Sequence, residues 1–132
     1  MDLELRNVSG DDDFAAVQRG LDEYNDSWRA TPTPLNVYAK EDGTLLGGLC
    51  ALTFWHWLYV CQVWVDAAQR GNGIGRRLMA AAEARRRGCA HVYLDTVSVQ
   101  APGFYDKLGY EVIGTLDDYP PGGQKFFMTK KL

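Results

Sequence analysis

A chain of 132 residues with 46% hydrophobic and 23% charged positions has the balance of one globular domain spanning residues 1–132, long enough to bury a core. The formal charge of −3 argues against general nucleic-acid binding, and no apolar run is long enough for a membrane span. Cys50, Cys61 and Cys89 are odd in number, far apart and set among apolar residues. They read as reduced core cysteines of a cytoplasmic protein; neither they nor His56 and His91 have metal-ligand spacing, so no metal is expected. Met1 leads straight into Asp2-Leu3-Glu4, without the basic and apolar regions of a signal peptide.

In chain order, Leu3–Val8 alternates apolar and polar residues as a half-buried strand does. Ser9-x-x-Asp12 then resembles a capping box, and Phe14, Val17, Leu21 and Tyr24 follow at helical spacing. These four should pack on the core, leaving Asp22 and Glu23 outside. Asn25–Pro34 holds Trp28 and two prolines and reads as irregular. Asn36–Lys40 and Leu45–Phe54 bracket the hairpin signal Glu41-Asp42-Gly43. The apolar run from Leu45 to Val65 is too long for one strand and splits near Trp55-His56-Trp57 into antiparallel strands Leu45–Phe54 and Leu58–Val65. In the second, Cys61, Val63 and Val65 should point one way and Gln62 and Trp64 the other.

Beyond residue 73, Ile74, Leu78, Ala81 and Ala82 follow a helical period, with Arg85-Arg86-Arg87 opposing the helix dipole and Gly88 closing the turn. His91–Leu94 is a short buried-strand pattern. Pro102 suits the first turn of another helix, running through Phe104, Tyr105 and Leu108 to Gly109. Tyr110–Gly114 and Phe126–Thr129 read as a final antiparallel pair, joined by a loop that carries Asp117 and Asp118. Strands on both sides of the helix after residue 73 imply a parallel pair with a right-handed crossover, inside a sheet otherwise joined by hairpins.

The stretch with the most chemistry is Gln69-Arg70-Gly71-Asn72-Gly73-Ile74-Gly75-Arg76-Arg77, a glycine-rich turn flowing into a helical pattern. Glycines leave backbone accessible to a ligand, and the free N–H groups of a helix start point at the same place, which suits a pyrophosphate. Arg70, Arg76 and Arg77 surround it with forked donors. A nucleotide P-loop would need Lys-Ser/Thr after the last glycine, where Arg76-Arg77 stands. A dinucleotide fingerprint would need G-x-G-x-x-G tight against a strand, whereas the spacing is Gly71-x-Gly73-x-Gly75 after Asp66-Ala67-Ala68-Gln69. Arginines at 70–87 and acids at 11–13, 22–26 and 117–118 would suit an anionic cofactor at one end of a site and a cationic substrate at the other.

Arg70-Gly71-Asn72-Gly73-Ile74-Gly75 behind Val63-x-Val65 resembles the coenzyme A loop of the GNAT superfamily of N-acetyltransferases. Some thirty residues on, Phe104-Tyr105-Asp106-Lys107-Leu108-Gly109-Tyr110 is similar to the fourth-helix pattern of the same enzymes. The resemblance implies an α+β (mixed α/β) fold: a central, mostly antiparallel sheet with one splayed parallel strand pair, flanked by about four helices. It implies acetyl-CoA as cosubstrate, its pantetheine arm along the exposed backbone of Val63, Trp64 and Val65. The pyrophosphate would lie on the backbone of Gly71, Gly73 and Gly75 with Arg70, Asn72, Ile74 and Arg76. Tyr105 would face the sulfur and protonate the leaving thiolate, and the Val65 N–H would stabilise the tetrahedral oxyanion.

The acceptor is expected to be a primary amine of a small molecule or a protein. Glu23, Trp28, Trp55, His56, Asp117 and Asp118 are the candidate substrate residues, with no single one marked as general base. Gln100 stands where many relatives carry an asparagine that contacts the cofactor. A homodimer is plausible through strand pairing at the C-terminal end. The competing reading is a non-catalytic acyl-CoA-binding or sensing module that keeps the loop and performs no transfer.

Overall fold

The computed structural model describes residues 1–132, which divide into two units, Met1–Thr31 and Pro32–Leu132. In the first, helix α1 covers Asp12–Tyr24 and is capped by Asp11, whose side chain accepts the Phe14 N–H at 2.8 Å. The cap therefore lies two residues beyond the expected Ser9. Asp11 also meets the Arg6 guanidinium at 2.9 Å, and Asp13 takes its other arm. Arg6 is thus drawn into the acidic first turn of α1, and Leu3–Val8 forms no strand. Alternation specifies two faces of a strand but supplies no ladder partner. The expected apolar stripe does form on α1, yet Phe14, Val17, Leu21 and Tyr24 are all exposed and the helix buries none of its residues.

The second unit is a six-stranded sheet in the order β1-β2-β3-β4-β6-β5. Its strands are β1 (Thr33–Glu41), β2 (Thr44–Phe54), β3 (Trp57–Val65), β4 (His91–Val97), β5 (Glu111–Asp117) and β6 (Gln124–Lys131). Helix α2 (Ile74–Arg85) joins β3 to β4, and the short helix α3 (Pro102–Lys107) joins β4 to β5. All neighbouring strands are antiparallel except β3 and β4. With one 3-10 turn at Ala67–Gln69, three α-helices stand where about four were expected. After α1, residues 25–28 form turns and residues 29–32 are irregular. Pro34 falls within β1, an edge strand, where a missing N–H does no harm to the sheet. Strand β6 lies between β4 and β5, so the free edge at the C-terminal end of the sheet is β5 and not the last strand.

One face of the sheet carries the core. Leu49, Leu58, Val92, Leu94 and Met128 pack there with Leu78, Met79 and Ala82 of α2 and with Tyr110. Each large apolar side chain buried this way contributes about 1.5–3 kcal/mol. The Tyr110 hydroxyl donates to Glu83 Oε1 at 2.7 Å, and Lys130 closes the group at 3.0 Å from the same carboxylate. Of the three cysteines only Cys89 is buried; Cys61 is exposed and Cys50 half-buried, against the expectation that all belong to the core.

The parallel pair is short, with Trp57, Leu58 and Tyr59 in register with His91, Val92 and Tyr93 and no pairing beyond. Its cause lies on the other side of β3. Cys50 of β2 is opposite Gln62, whereas the next residue, Ala51, is opposite Val60, so Cys61 is an extra, bulged residue. A bulge bends and twists its strand, here past the last β4 partner. It also changes the parity of the strand. Leu58 and Val60 face the core and so do Val63 and Val65, while Cys61 and Gln62 are both exposed. Cys61 therefore does not share the side of Val63 and Val65 expected from strict alternation.

Candidate active site

Where β3 and β4 part, a cleft of about 650 Å³ opens between Val60–Val65 on one wall and Leu94, Asp95 and Thr96 on the other, closed by Gln100, Ala101 and Tyr105. It adjoins a second cavity of about 520 Å³ at the glycine turn, and both are lined by Val63, Val65, Arg70, Ala101 and Tyr105. Together they have the volume of a site for a drug-sized or larger ligand.

Backbone geometry prepares the β3 wall. The Asp66 N–H bonds the Leu46 carbonyl at 2.8 Å on the β2 side. Successive backbone groups alternate between edges, so the N–H and C=O of Val65 and Val63 are directed into the cleft. There the Val65 carbonyl accepts the Arg70 Nε–H at 3.1 Å, which fixes the arginine at the strand's end.

The three glycines of the turn have different reasons to be glycine. Gly71 and Gly73 have φ of 83° and 79° with open space around them, so a left-handed backbone is what excludes a side chain. Gly75, already helical, would place a Cβ 3.2 Å from Phe104 Cζ, so it is small to let α3 approach. Gly73 is the N-cap of α2 and offers no side-chain acceptor. The N–H groups of Ile74, Gly75 and Arg76 therefore start the helix without an intrahelical partner, beside the cavity. Asn72 is exposed at the tip of the turn.

Tyr105 sits on α3 where the two cavities meet. Its ring contacts Phe104 and Tyr110 edge-on at centroid distances of 5.0 and 5.9 Å. Burial pushes its pKa above the ordinary phenol value, so it is a proton donor throughout the neutral range. Nearby, Gln100 Oε1 accepts from the Thr96 hydroxyl and from the Val97 N–H, both at 3.1 Å. Its carbonyl thus ties the end of β4 to the loop before α3.

The other sequence-based candidates lie elsewhere. Trp55 and His56 form the β2–β3 turn, at the closed end of the strand pair, and do not line the cleft. The His56 carbonyl accepts the Ala90 N–H at 2.9 Å. Asp118 Oδ1 accepts the Gly122 N–H at 3.0 Å and Asp117 Oδ1 accepts Gln124 Nε2–H at 2.9 Å, so both shape the β5–β6 loop. Glu23 lies on α1 and Trp28 in the turns after it, within the Met1–Thr31 unit.

A charged pair outside the sequence-based acetyltransferase candidates stands at the cleft. Asp95 of β4 lines it, with Oδ1 3.3 Å from Lys125 Nζ and Oδ2 accepting the Tyr59 hydroxyl at 3.4 Å. Lys125 Nζ also lies over the rings of Tyr119 and Phe127, 4.8 and 5.5 Å from their centroids. Its bond to Asp95 raises the Lys125 pKa, and burial followed by the charge of Asp95 raises that of Tyr59. The signal was present: the alternation of His91–Leu94 continues through Val97, which puts Asp95 on the face of Tyr93.

Residues 3–110 match the acetyltransferase (GNAT) family. The chain belongs to this family. Blasticidin-S acetyltransferase of Streptomyces morookaense is 45% identical over 115 residues, covering 79% of this chain and 85% of that protein. A crystal structure assigned as an acetyltransferase from Agrobacterium tumefaciens is 32% identical, with a TM-score of 0.87 over the whole of both chains. An aminoglycoside 6'-N-acetyltransferase crystallised with coenzyme A shares the fold at a TM-score of 0.68 and 21% identity, covering 92% of this chain and 81% of that one. As in other GNAT members, the sheet here is mixed with a single parallel pair, and the protein is an N-acetyltransferase.

Proposed function

We propose that this protein transfers an acetyl group from acetyl-CoA to a primary amine of a small molecule by direct attack within a ternary complex. The observation that carries the reading is one continuous feature. The glycine turn at the start of α2 opens into the gap between β3 and β4, with Tyr105 where the two meet. A pyrophosphate on the N–H groups of Ile74, Gly75 and Arg76 leaves the pantetheine arm to run along Val65 and Val63, completing the ladder that the bulge interrupts.

Attack of the amine nitrogen on the thioester carbon forms the N–C bond and a tetrahedral oxyanion. The Val65 N–H is the donor for that oxygen. Collapse breaks the C–S bond, Tyr105 gives its proton to the departing thiolate, its raised pKa keeping the phenol intact until then, and the proton shed by the attacking nitrogen restores the phenol. The blasticidin-S acetyltransferase relative makes blasticidin S the first acceptor to try.

The test has two steps. Acetyl-CoA or CoA at about 100 times its Kd should stabilise the fold by ~2.7 kcal/mol, raising Tm by roughly 5–15 °C, while NADH does nothing. Mass spectrometry of blasticidin S and other amines with labelled acetyl-CoA should then show a single acetyl added. Stabilisation without any transfer would replace the enzyme by an acyl-CoA-binding module, and no stabilisation would remove the cofactor altogether.

A further inference from the structure

We propose that Asp95 anchors the ammonium group of the acceptor, and that Lys125 holds the anchor until the acceptor arrives. This rests on the acetyltransferase reading and deepens it.

The first support is position. Leu94 and Thr96 are buried on the helix side of β4, so Asp95 between them points to the opposite face, two residues past the last parallel partner, Tyr93. Tyr105 packs with the core on the helix side. Asp95 and Tyr105 therefore line one gap from its two sides. A thioester held beside Tyr105 can be met through the gap by an amine held at Asp95, once the ammonium has released one proton to solvent and freed its lone pair.

The second support is the way the carboxylate is held. Both of its contacts are long for their type, 3.3 Å to Lys125 and 3.4 Å to Tyr59. Exchanging one ammonium for another conserves the local charge, so the acceptor need not be neutral to enter. Lys125 keeps partners when the carboxylate is taken: its Nζ lies over the rings of Tyr119 and Phe127, which continue to hold the cation.

The third concerns what the amine is attached to. Tyr59 and Tyr93 stack at 4.5 Å with their planes 5° apart beside the carboxylate, forming a flat apolar shelf. One carboxylate with a lysine alongside suits one ammonium carried next to a planar or apolar body. A polyamine would bring further positive charge against Lys125.

Steady-state kinetics with blasticidin S as acceptor, and with whichever other amines the labelled-acetyl screen returns, tests the exchange. Asp95→Asn should raise KM for the amine at least tenfold while KM for acetyl-CoA stays within twofold, and Asp95→Glu should recover part of the loss. Lys125→Met should act in the opposite direction, lowering the amine KM about two- to fivefold. A purely structural ion pair predicts that breaking it from either end moves KM the same way. If both variants raise KM together, or Asp95→Asn leaves it unchanged, the anchor is elsewhere. A wild-type protein that acetylates no amine overturns the acetyltransferase reading and this inference with it; the variants' separate effects overturn the inference alone.

Discussion

From Trp57 to Tyr59 strand β3 is zipped to β4 in register with His91 to Tyr93, whereas from Val60 onwards the same two strands bound an open cleft. Hydrophobicity does not separate the halves, since both are rich in aromatic and β-branched residues. In the zipped half the side chains continue the pairing: Trp57 stacks on His91 at 4.7 Å and Tyr59 on Tyr93 at 4.5 Å. In the open half the bulge at Cys61 has turned the backbone away, and the unpaired N–H and C=O groups become the wall of a site. The same strand thus supplies stability at one end and an unsatisfied ladder at the other. Substitutions in the two halves should separate accordingly, one set changing Tm and the other turnover.

The largest effect expected is in the open half. Tyr105→Phe keeps the ring and its edge-on contacts with Phe104 and Tyr110 but removes the proposed acid. Loss of general-acid catalysis should lower kcat by about 10²–10³-fold, with Tm changed by no more than a few degrees. The wild-type profile supplies a second check. Because burial raises the phenol's pKa, its protonated, donating form persists below that raised value, so kcat should show no fall from tyrosine ionisation up to about pH 10. Stopped-flow or coupled assays across pH would decide it; a Phe variant that keeps its rate gives the proton to another group.

Trp57→Ala tests the zipped half. It removes a half-buried indole that stacks on His91 and meets Tyr93 edge-on at 5.7 Å. The expected cost is about 2–3 kcal/mol, less than for a fully buried tryptophan. Tm should fall by roughly 6–12 °C by calorimetry. At 25 °C the surviving folded protein should keep kcat/KM for acetyl-CoA within about threefold. A large catalytic loss with little change in Tm would mean that the closed end positions the reacting groups after all.

What could be read in advance follows the same division. The proposed donor side is written in contiguous residues: an apolar strand ending at Val65, glycines at 71 and 73 whose left-handed backbones need them, and a helix start at Ile74. Spacing alone announces such a turn, and Tyr105 lies in a second contiguous motif. The proposed acceptor side is assembled from single residues on β3, β4 and β6, each unremarkable in its own segment. Asp95 looked like the exit from a strand taken to end at Leu94, and Lys125 like the approach to another. The bulge had no local signal either, because an extra residue shows only against the partner strand. Leu3–Val8 failed for the converse reason: it has the alternation of a strand, but nothing in the alternation provides a neighbour.

The smallest effect expected joins the two halves at the rim of the cleft. Gln100 holds the Thr96 hydroxyl and the Val97 N–H with one carbonyl oxygen, so the loop wall before α3 is tied to β4 at the point where β4 has already left β3. Gln100→Ala removes both bonds, at a net cost of about 1 kcal/mol, and should lower Tm by roughly 3–5 °C. Because the same loop carries Ala101 into the cleft, KM for acetyl-CoA should rise two- to fivefold with kcat little changed. Gln100→Asn sharpens the assignment. Its carbonyl is one methylene short of the strand end, so a residue that acts as a strut should make Asn behave like Ala. An Asn variant that instead lowers KM for acetyl-CoA would show that this position contacts the cofactor directly and that the strut is incidental.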